Sequence, residues 1–336
     1  MSKLKIAING FGRLGRSIAR VITNRDDVEL VGINDASEWE ILSYLLENDS
    51  THGHFPKSVS YENNQLFIDS KPVKTFSYSN PNDLDFTICD ADVVIESSGK
   101  FLTQEEVKHH IKKGIKKVVF SAPTNDETPT FVMGVNHHLY NGQNIISNAS
   151  CTTNCLAPIC QIIHENFGIQ AGTLSTIHSY TNDQNLLDSA HKSDKRRSRA
   201  AAVNIIPTST GAAKSIYKIL PDLKGKLHGH SIRVPVIDVS MVDLNLELKE
   251  PICADIINDT LINASKNRYA GILGIDEKYG VSTDFLNDPR SSIVAKDLTF
   301  SIGKMVKIMA WYDNEWGYSN RIVDLCVFVS KQSGIN

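Results

Sequence analysis

Nowhere does this sequence run together the roughly 18 apolar residues that a membrane-spanning helix needs. Internal repeats and low-complexity tracts are absent, which excludes solenoid and disordered classes. An excess of one charge is lacking too. Against 38 acidic residues stand 35 Lys and Arg, for a net charge of −3. That balance leaves no basic footprint for nucleic acid and no pull toward an anionic membrane. Cysteine is sparse: six residues, at 89, 151, 155, 160, 253 and 326, do not make a disulfide scaffold in a chain of 336. Cys151 and Cys155 lie four apart without a second pair to complete a zinc set, so no metal is expected. No targeting segment is visible, because the apolar run Ile6–Asn9 is too short for a signal-peptide core. A reducing, cytoplasmic setting is expected.

What is present is an ordinary globular composition, 41% hydrophobic and 22% charged, enough for a sizeable core. Single cores stop growing at roughly 250–300 residues, so two domains are expected. Residues 4–9 alternate as a strand, a glycine turn follows, a helical pattern continues through Ile18, Ala19 and Ile22, and a second apolar run spans Val28–Ile33. This is one βαβ unit. Short strand-like runs over 57–78, with Asn63-Asn64 as a turn, lead to Val93–Ile95, a helix over 103–113, and strands at Val118–Phe120 and Ile145-Ile146. After Ser150 the pattern changes. Cys151 opens a helix reaching about Phe167, a strand-like stretch covers 170–177, and a polar loop over about 180–205 carries the basic cluster Lys192–Arg199. Strand-like runs at 230–248, 270–273, 291–294 and 304–312 surround a helix near 253–264, and an amphipathic helix closes the chain over about 316–331. The pattern is α/β: strands and helices alternate over 1–150, and a second part over 151–315 has a mainly antiparallel sheet. The C-terminal segment, about 316–336, is expected to pack back on the first domain.

Gly10-x-Gly12-x-x-Gly15 follows a strand, opens a helix, and has Asp35 twenty residues beyond Gly15. In that context the motif points to a dinucleotide. Its glycines permit a tight turn and close backbone approach to a pyrophosphate, and the helix N-terminus presents free N–H groups with partial positive charge. Asp35 suits a ribose 2′-hydroxyl. Cys151 sits where an extended segment turns into a helix, and a thiol there is expected to titrate below its ordinary value. Cys89, Cys160, Cys253 and Cys326 read as inert core cysteines, and Cys155, one turn inside the helix, as buried. A thiol nucleophile needs a proton-accepting partner, and His178, at the end of a strand-like stretch, is the candidate. His52, His54, His109, His110, His137 and His138 read as ordinary surface or core histidines.

The segment Ser150-Cys151-Thr152-Thr153-Asn154-Cys155-Leu156-Ala157-Pro158 resembles the active-site segment of the phosphorylating glyceraldehyde-3-phosphate dehydrogenases. Asn9–Arg13, Asp49–Gly53, Phe120–Pro123, Ser209–Lys214 and Trp311–Glu315 match further motifs of that family in the same order, and the resemblance runs from about residue 3 to 330. It implies a Rossmann NAD-binding domain over 1–150 and a catalytic α+β domain over 151–315, and oxidation of glyceraldehyde 3-phosphate with NAD and inorganic phosphate, through a thioester, in a homotetramer. It assigns Cys151 as nucleophile and His178 as acid/base. Ser150, Thr152, Thr181, Arg196, Thr210, Gly211 and Arg233 would hold the two anionic groups, for which arginines, hydroxyls and backbone N–H groups are suited. Gly10, Gly12, Arg13, Leu14, Gly15, Asp35, Ser121 and Asn314 would contact the cofactor, Asn314 at the nicotinamide carboxamide. Arg197, in the same basic cluster, reads as a solvated loop residue.

The sequence also departs from the family. Ser79 stands where many relatives carry an arginine on the adenine side, and Glu96-Ser97-Ser98-Gly99 varies a threonine seen in many relatives. Leu187-Asp188-Ser189-Ala190-His191 lacks the proline of strictly NAD-specific members, while the charge of Asp35 opposes a 2′-phosphate. NAD is therefore expected to be preferred, with weaker NADP use. The rival reading is an erythrose-4-phosphate dehydrogenase. The Thr210–Lys214 and Thr181–Gln184 stretches favour the shorter sugar.

Overall fold

A computed structural model describes residues 3–335, the side chains at 213 and 214 excepted. The chain divides into two compact units. The first comprises residues up to 133, 137–150 and the segment from 319 onward; the second comprises 134–136 and 151–318.

The first unit is built on a single eight-stranded sheet. Its strands are β1 (Leu4–Asn9), β2 (Val28–Asn34), β3 (Val59–Glu62), β4 (Gln65–Ile68), β5 (Lys71–Phe76), β6 (Val93–Glu96), β7 (Lys117–Phe120) and β8 (Ile145–Ser147), in the order β3-β4-β5-β2-β1-β6-β7-β8. β5, β2, β1, β6, β7 and β8 run parallel; β3 and β4 add an antiparallel edge. Buried on both faces, β6 and β7 read as continuous apolar runs rather than alternating ones, as parallel strands do. Asn63 and Asn64, with φ of 53° and 61°, turn β3 into β4, since Asn tolerates the left-handed region better than most residues. Helix α1 (Arg13–Thr23) buries Ile18, Ala19, Val21 and Ile22. Helix α2 (Trp39–Glu47) buries Trp39, Leu42 and Leu46. Helix α3 (Gln104–Lys113) begins with a capping box: Thr103 Oγ1 accepts from the Glu106 N–H and the Glu106 carboxylate accepts from the Thr103 N–H.

The second unit opens with α4 (Cys151–Phe167) and the long strand β9 (Ile169–Ser179). Then come β10 (Ile206–Ser209), the short α5 (Ala212–Ser215), β11 (Leu227–Val234), β12 (Ser240–Leu248), α6 (Ala254–Lys266), β13 (Leu273–Asp276), β14 (Ser292–Ala295), β15 (Phe300–Ile302) and β16 (Met305–Tyr312). The sheet order is β10-β11-β9-β12-β16-β14-β13, with β15 paired to β16. Five of its pairings are antiparallel, while β11·β9 and β13·β14 are parallel, so the sheet is mixed. Helix α7 (Trp316–Gln332) belongs to the first unit from residue 319 onward, where Phe328 meets His137 edge-on and Asp324 pairs with Arg25.

The sequence patterns agree with most of these elements and miss some. The run at 230–248 is two strands, because β11 ends before Pro235, which lacks an N–H, and Val239 turns the backbone at φ 64°. β13 begins at Leu273 rather than 270, since Gly271 at φ 77° ends a turn there. β10, β15 and α2 are too short to stand out by periodicity. Among the described residues no helix is long and apolar enough to cross a membrane.

Candidate active site

In the first unit the glycine loop joins β1 to α1. Gly10 adopts φ 96°, and a Cβ there would lie 2.4 Å from the Ser98 Cα; a Cβ on Gly15 would lie 2.1 Å from the Gly10 oxygen. Both glycines are thus required by the loop's own packing. Gly12 differs: a Cβ there would meet nothing within 4 Å, and no side chain caps the helix it begins. The open space and uncapped N–H groups make a cradle that fits a pyrophosphate. At the end of β2, Asp35 accepts from the Phe11 N–H at 2.7 Å and the Ser37 N–H at 2.9 Å, which fixes its carboxylate beside the loop. Arg13 pairs with Asp49 at 2.7 Å. Burial pushes the Asp49 carboxyl up, but the N–H groups of His52 and Thr51 and the Arg13 guanidinium outweigh it, and it falls to about 2. Leu14 is half-buried, and Ser121 donates its hydroxyl to the Glu96 carbonyl at 3.0 Å.

Beneath the loop lies a buried polar network that sequence reading did not anticipate. Glu96, at the end of β6, accepts from Asn9 Nδ2 at 2.6 Å and from the N–H and hydroxyl of Ser98. Asn9 in turn accepts from Asn34 Nδ2 at 2.8 Å, and Asn34 exchanges two hydrogen bonds with the Tyr78 backbone. Burial raises the Glu96 carboxyl to about 7.

In the second unit, Cys151 is the first residue of α4 and His178 the penultimate residue of β9. The period of two along β9 buries Leu174, Thr176 and His178 on one face. His178 Nε2 lies 3.8 Å from Cys151 Sγ. Its Nδ1 lies 2.7 Å from the Ser179 carbonyl and 2.8 Å from Arg233 Nη1, which itself donates to that carbonyl at 3.0 Å. In the tautomer with the proton on Nδ1, donated to the Ser179 carbonyl, the Nε2 lone pair faces the thiol, and Arg233 then donates to that carbonyl and not to Nδ1. Arg233 is the direct neighbour of His178 in the β11·β9 register. Tyr312, from β16, meets the His178 ring edge-on and shares a 3.0 Å hydrogen bond with Thr152 Oγ1.

The electrostatics correct one expectation. Burial raises the Cys151 thiol above its ordinary value; the Arg233 charge and the contacts with Thr152 pull it down without prevailing. Burial, then Arg233, lower the His178 imidazole to about 3. The resting pair is therefore a neutral thiol and a neutral imidazole, because the helix terminus sits inside a dense polar pocket that desolvates the sulfur.

A second correction concerns the basic loop. Arg197 is not a solvated residue. Its side chain is 13% exposed, paired with Asp183 and Asp194, and close enough for its charge to lower both His178 and Arg233. Arg196 is exposed instead. Asp194 accepts from the N–H groups of both residues, and the turn it makes swings 197 inward. Thr181 is exposed, Ser150 half-buried, and Thr210 accepts from the Ala212 N–H at 3.2 Å beside the open Gly211. Asn314 is buried, its Oδ1 accepting from Ser179 Oγ at 3.0 Å and Ser240 Oγ at 2.6 Å. Of the other cysteines, 155, 160 and 326 are buried. Cys253, at the start of α6, is exposed and so is not the core residue expected, whereas Cys89 is half-buried and packs against the core of the first unit.

Comparison with known proteins agrees with this chemistry. Residues 4–104 match the family model for the glyceraldehyde 3-phosphate dehydrogenase NAD binding domain, and residues 150–314 match that for its C-terminal domain. The chain is 54% identical over 335 residues to glyceraldehyde-3-phosphate dehydrogenase of Helicobacter pylori, covering 97% of this chain and 99% of the relative. The chain belongs to the glyceraldehyde-3-phosphate dehydrogenase family. A Bacillus subtilis relative, glyceraldehyde-3-phosphate dehydrogenase 1, is 46% identical over 332 residues, with 98% of this chain and 99% of the relative covered. Another from Geobacillus stearothermophilus is 45% identical over the same length and shares. None of these three is named for erythrose 4-phosphate. The family's two-domain architecture, a Rossmann NAD-binding domain and a mixed-sheet catalytic domain, is that of the two units described above.

Proposed function

We propose that the chain carries out the phosphorylating oxidation of glyceraldehyde 3-phosphate through a thioester on Cys151. Membership of the family makes it an NAD-dependent glyceraldehyde-3-phosphate dehydrogenase, an oxidoreductase of glycolysis. The observation that carries the thioester step is the 3.8 Å approach of His178 Nε2 to Cys151 Sγ at the head of α4, with Arg233 on the far side of the imidazole. NAD, when bound, supplies the acceptor for the hydride. The Cys151 sulfur attacks the aldehyde carbon while its proton passes by way of His178 to the carbonyl oxygen, giving a hemithioacetal. His178 then takes that hydroxyl proton as the carbon loses hydride, leaving a thioester. Inorganic phosphate attacks the thioester, the sulfur departs, and His178 returns its proton to Cys151. The neutral resting imidazole suits this role, since its Nε2 presents an unprotonated lone pair toward the sulfur.

The substrate phosphate and the attacking phosphate are two anions beside one thiol. Arg233 and Arg197 supply the inward positive charge, Arg196 stands at the exposed side of the loop, and Ser150, Thr152, Thr181, Thr210 and the Gly211 N–H supply donors. In the first unit Gly10, Gly12, Gly15, Arg13, Leu14, Asp35 and Ser121 would hold NAD, and Asn314, in the second unit, is the residue that the family resemblance assigns to the nicotinamide carboxamide. Turnover of glyceraldehyde 3-phosphate with NAD should depend on inorganic phosphate and fall at least about 10³-fold in Cys151→Ser. Phosphate-independent turnover, or faster turnover of erythrose 4-phosphate, would overturn the reading.

The anchored carboxylate of Asp35 repels a 2′-phosphate, so kcat/KM with NAD should exceed that with NADP, which is used more weakly. Equal or better efficiency with NADP refutes the preference. The six free cysteines suit a reducing, cytoplasmic compartment. A homotetramer fits the large apolar side chains left exposed in the 180–205 loop, Leu186, Leu187, Val203 and Ile205.

A further inference from the structure

At the end of its sheet away from the glycine loop, the first unit holds a cavity that neither the cofactor nor the thiol chemistry uses. It opens because two strands part. β2 pairs with β5 only from Gly32 opposite Lys74 to Asn34 opposite Phe76. Continued backwards, that register would set Leu30 against Pro72, which has no N–H to give a ladder. Just before Pro72 the chain turns sharply at Asp69 and Ser70, with φ of 55° and 63°. Between the separated strands lies a space of about 220 Å³, room for about ten heavy atoms. Its walls are apolar: Ile22 from the end of α1, Val28 and Leu30 from β2, Ile68 from β4 and Val73 from β5.

The charges at the mouth do not balance. Lys57 faces Asp69 at 3.6 Å, and Arg25 pairs with Asp27 and Asp324. The other charged residues there are Lys3, Lys71 and Glu29, and none of them has an ion-pair partner among the described residues. Two cations against one anion leave a single net positive charge over an apolar floor.

We propose that this cavity is a binding site for a small amphipathic monocarboxylate, its apolar body against Val28, Leu30 and Val73 and its head between Lys3 and Lys71. The body leaves water as it enters, and the head meets the one excess charge. A dianion would overrun that excess, and a neutral molecule would leave both ammonium groups unpaired. The seven residues of β2 put about 20 Å between Val28 and Asp35, so occupancy here leaves the dinucleotide cradle free.

The test titrates octanoate, and its neutral counterpart octanamide, into the full-length protein saturated with NAD at low salt. Methyl NMR of protein labelled at isoleucine, leucine and valine reads the site. Octanoate should give saturable shifts at the methyls of Val28, Leu30 and Val73, and octanamide should bind at least about 5-fold more weakly. Reversing both charges, Lys3→Glu with Lys71→Glu, should weaken octanoate about 5- to 10-fold, as expected for two exposed ion pairs. Val73→Phe, which fills the space, should abolish the shifts. Saturation that leaves those three methyls unmoved overturns the site, as does displacement of octanoate by NAD. Equal affinity for octanamide, or unchanged octanoate affinity in the charge-reversed protein, overturns the anionic ligand. Should Val73→Phe fail to fold, the charge-reversed protein, altered only at the cavity mouth, decides alone.

Discussion

The three glycines of the first loop look equivalent in the sequence and are not. Gly10 and Gly15 are demanded by the protein's own atoms, whereas the space beside Gly12 is empty of them. Gly10→Ala is expected to destabilise the fold by more than about 2 kcal/mol, through both the clash and the positive φ. Gly12→Ala should cost about 1 kcal/mol at most, as an N-cap change, yet weaken NAD binding by over about tenfold as the methyl fills the cradle. Thermal unfolding without cofactor and calorimetry with NAD separate the two effects. If Gly12→Ala binds NAD like the parent, the cradle is not where the pyrophosphate sits. The same scale shows where sequence reading stops. Cys151 and His178 were legible as a candidate pair, and the fold brings them within 3.8 Å, but the sign of the thiol's shift was not legible, because it depends on burial by residues far away in the chain. Arg196 and Arg197 are adjacent and identical in type, and only the turn made by Asp194 decides which one faces inward.

Among the elements, the ends of β6, β1 and β2 are tied through Glu96, Asn9 and Asn34, which the parallel registers place side by side. Glu96 carries a pH signature. Its folded value of about 7 lies above the usual one near 4.5, so the fold favours the protonated form. Its stabilising contribution is full below about 4.5 and is lost as pH rises through about 7, a change of roughly 3 kcal/mol. The stability of the parent relative to Glu96→Gln should therefore be about 3 kcal/mol lower at pH 8 than at pH 4.5. Urea unfolding of both proteins measures it, and a pH-independent difference would show that Glu96 titrates normally. Most elements were visible as periodicity, including β1, α1, α3, β9 and α7. The short β10 and β15 were not: three or four residues hold too few repeats of any period, and such strands form because a neighbour offers a ladder.

At the scale of the whole molecule, the family resemblance along nearly the full chain was already legible, and the two units correspond to its two parts. The apolar side chains exposed on the 180–205 loop are the outstanding feature at this scale. Sedimentation velocity is expected to show four chains per particle, and Leu187→Asp to shift material toward smaller species, since a buried carboxylate at an apolar contact is costly. A monodisperse single chain in the parent would remove the tetramer.

By itself the sequence determined what is local in the chain: the glycine spacing before a helix, the cysteine at a helix start, the alternation along strands, and the order of motifs that marks the family. Only the tertiary structure decided what depends on partners distant in sequence. It brought His178 to Cys151 across 27 positions and Arg233 to His178 across 55, turned Arg197 inward, left Cys253 exposed, and gathered Ser179 and Ser240 around Asn314. Burial and charge at those points arise from side chains that no window along the sequence contains, which is why the site's residues could be named from the sequence while its protonation and orientation could not.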